Sequence, residues 1–206
     1  MSETAEPLHE VKAHAWKRDA LDWYVEPSEA SDALFAVERF IGAIWDPACG
    51  NGNIVESALK WNYQAFGTDV RMRLNVHWFV TEADFLDWWK VPLAPNVVVN
   101  PPFFRAKGAE AFIRKALALA TGKVAAFVDI RFLAGADRAD GLFAEHPPSR
   151  AWILAPRVSC PPGDYLLAGG KAGNGSSDWC WLVWDRTAPP GPTVLNWLRW
   201  KALLKI

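Results

Sequence analysis

The chain is poor in residues that make sites by themselves. Its three cysteines, Cys49, Cys160 and Cys180, and its four histidines, His9, His14, His77 and His146, are scattered through 206 residues. The odd count and the scatter exclude a disulfide framework and point to reduced thiols. No Cys/His cluster has zinc-like spacing, so no metal is expected. No apolar run approaches the roughly 18 residues of a membrane span. The stretch from Met1 to Glu10 is acidic and polar, unlike a secretory signal. A cytoplasmic location and no membrane partner are therefore expected. Two phosphate-binding signatures are also missing, the GK[ST] loop and the three-glycine GxGxxG turn, which disfavours nucleoside triphosphates and dinucleotides.

What remains is a globular composition, 51% apolar and 22% charged, expected to fold as one domain over residues 1–206 behind a loose leader at 1–15. The net charge of −1 conceals an asymmetry: residues 1–99 carry 8 Lys/Arg against 15 Asp/Glu, and residues 100–206 carry 14 against 8. A polyanion would favour the second half, although solvated surface charge explains the same imbalance. The 13 tryptophans are numerous, but Trp45, Trp152 and Trp181 lie in strand-like runs and read as core.

Strands alternate with helices along the chain. The pattern predicts a helix from Ser28 to Ile41 with Ser28 as N-cap, a strand ending at Asp46, and a helix from Asn53 to Trp61. A strand from Gln64 to Thr68 ends at Asp69, another spans His77 to Thr81, a short helix covers Asp84 to Trp89, and Val97 to Asn100 is the fourth strand. From Ala106 to Thr121, Ala109, Phe112, Ile113, Ala116, Leu117 and Ala120 recur at helical spacing. Further strands are expected at Lys123–Ile130, Ala151–Ala155 and Trp179–Trp184, with helices at Ala136–Ala144 and Thr193–Leu204. The Gly-, Ser- and Pro-rich stretch Pro161–Ser177 reads as a mobile loop. This alternation implies an α/β fold with a doubly wound, mostly parallel sheet.

Two short strings carry the chemistry. Asp46-Pro47-Ala48-Cys49-Gly50-Asn51-Gly52 follows the first strand, and Asn100-Pro101-Pro102-Phe103 follows the fourth. Both lie at carboxyl ends of strands, where open α/β sheets bind ligands. In the first, Gly50 and Gly52 permit conformations and approaches that a Cβ hinders. They lead into a helix whose free N–H groups, from Asn53 onward, can face a carboxylate or ribose. Asp46 can accept a bond from a cationic amine or a bound water, and Asp69 is placed to take both hydroxyls of a ribose. Cys49 lies in the turn without a base partner and is no nucleophile. Taken alone, the string has a lesser alternative reading as a tight strand–helix turn with chance acids.

In the second string, two prolines fix φ and remove two N–H donors, so the backbone presents carbonyls in a stiff arrangement. The Asn100 side-chain oxygen and the Pro101 carbonyl can both accept from one NH₂ group. That draws the amine toward tetrahedral geometry and frees its lone pair to attack an electrophilic methyl. Phe103 offers a face for a flipped base. No general base is needed before attack, because the proton becomes acidic only when the methyl arrives.

DPACGNG followed by NPPF resembles the amino-methyltransferases of the class I, S-adenosylmethionine-dependent fold, in particular the small phage- and prophage-type DNA N6-adenine methyltransferases. The resemblance covers about Trp23 to Arg186. It implies a Rossmann-like class I methyltransferase fold with a mostly parallel, seven-stranded sheet, helices on both faces and an antiparallel last strand at Trp179–Trp184. It assigns Asp46, Ala48, Gly50 and Gly52, with the intervening Cys49, to the methionine part of the cofactor. It further assigns Asp69 to the ribose, and Asp84 with Phe85 to the adenine. Tyr24-Val25-Glu26-Pro27 resembles the family's N-terminal cofactor segment, with Glu26 or Pro27 near the methionine end, and Asn100 to Phe103 form the catalytic loop. Many members carry Tyr where Phe103 stands, which costs a hydroxyl but keeps the stacking face. The separate target-recognition domain of larger relatives has no room in this length.

The expected reaction is methyl transfer to an exocyclic nucleobase amine, adenine N6 in DNA, with RNA adenine, cytosine N4 and protein glutamine as alternatives. A non-catalytic cofactor-fold subunit is the alternative from another class. Arg105 and Lys107, and less directly Arg131, Arg138 and Arg157, are candidates for phosphate contacts. Because affinity for DNA depends on such contacts, a homodimer or a partner subunit is expected to assist, with the C-terminal helix as one surface.

Overall fold

The computed structural model describes residues 21–88, 91–104, 107–173, 175 and 177–203; the expected leader at 1–15 lies outside them. Short apolar runs form one continuous sheet from Ile44–Asp46 (β1), Ala65–Asp69 (β2), Phe79–Glu82 (β3), Asn96–Val99 (β4), Lys123–Asp129 (β5), Arg150–Leu154 (β6), Trp179–Asp185 (β7) and Val194–Leu198 (β8). The order is β3-β2-β1-β4-β5-β7-β6-β8. Every pairing is parallel except the two made by β7, with β5 and with β6. β1 and β4 are buried at every position, which is why they read as unbroken apolar runs rather than as alternation.

Helices cover both faces. Ser28–Val37 (α1) and Asn53–Lys60 (α2) bury Ala30, Ala33, Leu34, Ile54, Val55 and Ala58 in one core. Lys107–Leu119 (α3) packs Ala109, Phe112, Ile113, Ala116 and Leu117 against the other, together with Trp45, Val97, Val99 and Phe85. A 3₁₀ turn at Ile130–Ala134, then Ala136–Asp140 (α4) and Leu142–Glu145 (α5), continue that second face. The remaining helices are short, Gly163–Leu167 (α6) and Trp200–Leu203 (α7).

The amino ends of the central strands are pinned by polar groups. Asn96 is buried and donates through Nδ2 to the carbonyls of Ile41 at 2.8 Å and Ala43 at 3.0 Å, while its Oδ1 accepts from the Lys123 backbone at 2.8 Å. Nearby, the buried Glu38 carboxylate accepts from Arg150, from Lys123 Nζ at 2.7 Å and from Trp152 Nε1 at 2.9 Å. Burial alone would raise the Glu38 pKa, but Arg150 and Lys123 hold it below the usual carboxylate value.

Several expectations are corrected. The sheet has eight strands, not seven, because Val194–Leu198 pairs in parallel with β6 instead of forming a helix. Its apolar spacing (194, 195, 197, 198) suits either period, and the open edge of β6 decides for the strand; only Trp200–Leu203 is helical. No helix forms at Asp84: the Asp84 carboxylate accepts from the Leu86 N–H at 2.9 Å and makes a turn instead, and Trp89 lies outside the described residues. The expected Ala136–Ala144 helix breaks at Gly141. Pro161–Ser177 contains α6 and is tied to the N-terminal segment by Val25 N–H to Pro161 O, 2.9 Å, and Gly163 N–H to Trp23 O, 3.0 Å. α1 stops at Val37, leaving Ile41 79% exposed. Pro27, not Ser28, occupies the N-cap position and makes no side-chain cap bond.

Candidate active site

The two strings meet. β1 and β4 are adjacent and parallel, so Asp46–Gly52 and Asn100–Phe103 emerge side by side at the carboxyl edge. With residues 21–26 they line one cleft that opens to solvent. Of the residues singled out from the sequence, Tyr24, Glu26, Asp46, Ala48, Cys49, Gly50, Asn53, Asp69, Phe85, Asn100, Pro101, Pro102 and Phe103 line it. Pro27 caps α1, Gly52 packs on Trp78 and Asp84 is exposed; none of the three lines the cleft.

Asn100 is clamped by one side of its amide. Nδ2 donates to the Tyr24 carbonyl at 2.9 Å and to Glu26 Oε2 at 2.7 Å. Both N–H bonds are thereby committed toward the N-terminal segment, and Oδ1 is left to accept. Glu26 is itself fixed, since Asn53 Nδ2 donates to its backbone carbonyl at 2.6 Å. Phe103 is half-buried, with the Trp179 ring edge-on at 5.9 Å, and Trp179 in turn stacks on Phe127 at 4.9 Å. Trp179 thus braces the Phe103 ring.

The electrostatics of the cleft are unbalanced. Burial raises the Glu26 carboxyl to about 7, against the opposing hydrogen bond from Asn100. Asp46, 2% exposed, is pushed well above the carboxylate range by burial first and then by the Glu26 and Asp69 charges, although the Ala48 N–H donates to it at 3.1 Å. Burial, then the Asp46 and Asp69 charges, likewise raise the Cys49 thiol far above its usual value, so it stays protonated. Asp69 accepts from the Gly50 N–H at 2.9 Å and the Arg71 N–H at 3.1 Å, with Arg73 Nη2 3.9 Å away.

Three lining residues carried no signal in the sequence. The Trp23 indole lies over Gly50, where a Cβ would stand 2.7 Å from its Nε1, and the Arg73 guanidinium stacks on that indole at 3.7 Å. Arg73 Nε and Asn51 Oδ1 are buried and find no hydrogen-bond partner among the described residues. Buried polar atoms are nearly always satisfied, so these two, with the raised Glu26–Asp46 pair, describe a pocket whose polar partner is a ligand carrying positive charge and hydrogen-bonding groups. That fits S-adenosylmethionine. The glycine turn also explains itself locally: Gly50 has φ +50 and Gly52 φ +83, and a Cβ on Gly52 would run into the Trp78 ring.

Among the described residues, the secondary basic candidates do not line the cleft. Arg131 pairs with Asp129 at 2.7 Å, Arg157 with Asp178 at 2.6 Å, and Arg138 donates to the Phe132 carbonyl at 2.7 Å. Lys107 is exposed at the start of α3, and Arg105 lies outside the described residues. Among the described residues no group of three or more His, Cys, Asp or Glu could hold a metal ion, and no helix is long and apolar enough to cross a membrane.

No protein-family model and no curated protein sequence matches the chain. Solved structures do. The type IIG restriction endonuclease BpuSI aligns at 14% identity over 84% of this chain and 27% of its own, with a TM-score of 0.56. An S-adenosylmethionine-dependent O-methyltransferase from Thermotoga maritima aligns at 11% identity over 82% of this chain and 68% of its own, with a TM-score of 0.52. The M protein of the type I restriction enzyme EcoKI aligns at 16% identity over 79% of this chain, with a TM-score of 0.49. The chain spans 27% and 44% of the two restriction-enzyme chains. Strand order, antiparallel β7 and the alignments with BpuSI and the Thermotoga maritima enzyme together give the chain the Rossmann-like fold of S-adenosylmethionine-dependent methyltransferases.

Proposed function

We propose that this protein transfers a methyl group from S-adenosylmethionine to the exocyclic amine of a nucleobase, adenine N6 in DNA. The carrying observation is the Asn100 amide, whose two N–H bonds are spent on Tyr24 and Glu26 so that Oδ1 is left as an acceptor at the cleft. Beside it Pro101 cannot donate, and Phe103 supplies a flat apolar face. A group gripped by two acceptors next to an aromatic ring must be a donor on a planar molecule, which describes a base NH₂.

When bound, the cofactor supplies an electrophilic methyl on a cationic sulfur. The chain does the rest by placement. Glu26 and Asp46 supply negative charge for the cofactor's cationic part, and Asn51 and Arg73 offer an unused acceptor and donor. Asp69 offers its remaining lone pairs to hydroxyls. Asn100 Oδ1 and the Pro101 carbonyl would hold the amine hydrogens and orient its lone pair; as the new N–C bond forms and the methyl–sulfur bond breaks, the surplus proton of the methylated amine is lost to water. DNA as partner, a second subunit that extends the phosphate contacts, and a cytoplasmic location belong to the same proposal.

The test is transfer of tritium from labelled S-adenosylmethionine, scored separately in DNA, RNA and protein. Label in DNA that Asn100→Ala abolishes supports the reading. Label confined to protein or RNA replaces the substrate, and label in DNA that survives Asn100→Ala rejects the role of the loop.

A further inference from the structure

We propose that Asp22 is a positioning residue of the methyl-transfer site, acting through the backbone of Phe103 and Phe104; this rests on the reading of Asn100–Phe103 as the catalytic loop. Because Pro101 and Pro102 have no N–H, the first two backbone donors after Asn100 are those of Phe103 and Phe104. Both point at a single oxygen: Asp22 Oδ2 accepts from the Phe103 N–H at 2.7 Å and the Phe104 N–H at 2.8 Å. Asp22 is 6% exposed, so the charge-assisted pair is sheltered from water. Two successive N–H groups converging on one anion form a nest.

Backbone strain marks the same spot from both sides. Asp22 has φ +55 and Phe104 φ +37, both in the left-handed region that residues with a Cβ seldom adopt. Such conformations persist only where surrounding structure holds them, and they concentrate at functional sites. Here each strained residue holds the other. The loop is thus gripped at both ends by the same N-terminal segment. Tyr24 and Glu26 hold the Asn100 amide, and Asp22 holds the turn beyond Phe103. Trp179 supports the Phe103 ring from the side. Without Asp22, the Phe104 turn is free to relax, and the Phe103 ring and the Pro101 carbonyl move with it. A displacement near 1 Å at reacting groups costs about 10²-fold in rate.

The experiment compares Asp22→Ala and Asp22→Asn with the wild type. Asparagine keeps an oxygen that can accept both N–H groups, whereas alanine keeps none. Asp22→Ala is expected to lower kcat by about 10- to 100-fold while the S-adenosylmethionine Kd, measured by calorimetry, stays within about threefold. Asp22→Asn is expected to recover most of the loss. An unchanged kcat in Asp22→Ala, a loss confined to cofactor affinity, or an asparagine variant no better than alanine overturns the proposal. Amide hydrogen exchange at Phe103 and Phe104 provides an activity-independent arm. The two amides should exchange at least about tenfold faster in Asp22→Ala while the β4 and β5 amides stay protected. Unchanged exchange overturns the proposal even if kcat falls. Should the wild type methylate nothing, the functional reading fails, and the exchange result alone decides whether Asp22 holds this loop.

Discussion

Glu26 is the residue whose chemistry reaches furthest. Its carboxyl ionises near 7 instead of 4.5 because burial penalises the charge. A folded-state value above the unfolded one means that the folded protein holds the proton more tightly. Stability is therefore highest below about pH 4.5 as far as this group is concerned, falls as pH rises to about 7, and levels off beyond. The difference is about 3 kcal/mol. Glu26→Gln keeps an acceptor for Asn100 and removes the titration. Urea denaturation of the cofactor-free protein should find it more stable than wild type at pH 8, with the difference closing toward pH 4. A cationic cofactor favours the ionised carboxylate, so its affinity should rise through pH 7 in the wild type and hardly change in the variant, as calorimetry between pH 6 and 8.5 would record. Gly52 supplies a second prediction at this scale. Its φ of +83 and the Trp78 ring against it mean that Gly52→Ala should cost about 3 kcal/mol of stability, read from the denaturation midpoint.

Among the elements, those that end in the two motifs were legible because their cause is local. Ile44-Trp45 and Val97-Val98-Val99 are fully buried, and Pro47 or Pro101 follows closely to end the run. α3 announced itself by period, since a helix on a flat sheet needs one apolar stripe. β8 was not legible, because an edge strand takes its pairing from β6 some forty residues earlier and its apolar spacing fits either period. Asp22 was equally silent: an aspartate contacting an amide 81 residues away leaves no local pattern. The Glu38 cluster is of the same kind and carries its own prediction. It joins the end of α1 to β5 and β6 through Lys123 and Arg150, with Asp185, held at about 2 despite its partial burial by Thr187 and Arg150, on the far side. Glu38→Gln leaves two partly buried cations with Asp185 as their remaining carboxylate and should cost about 2 kcal/mol at pH 7. Because the folded-state pKa is depressed, this contribution is present above the usual carboxylate range and is lost as pH falls through it. Wild type and variant should therefore converge in stability toward pH 3 in urea titrations.

Across the whole molecule, the sheet separates stability from chemistry. Asn96 and Glu38 fasten the amino ends of the strands, while the carboxyl ends carry strained backbone, raised carboxyls and unpaired polar atoms. A ligand that satisfies those groups must stabilise the fold. At about one hundred times its Kd, S-adenosylmethionine should add about 2.7 kcal/mol and raise Tm by roughly 5 to 10 °C, and Asn100→Ala should keep that shift because the variant leaves the carboxylates in place. If an amide oxygen held outward by Tyr24 and Glu26 grips a base amine, mass spectrometry of nucleosides from DNA incubated with S-adenosylmethionine and either wild type or Asn100→Ala will show it. The wild type should yield N6-methyladenine and the variant at least about 10²-fold less, with cofactor binding in both. Equal product from both proteins, or no methylated base from a wild type that binds the cofactor, would rule that grip out.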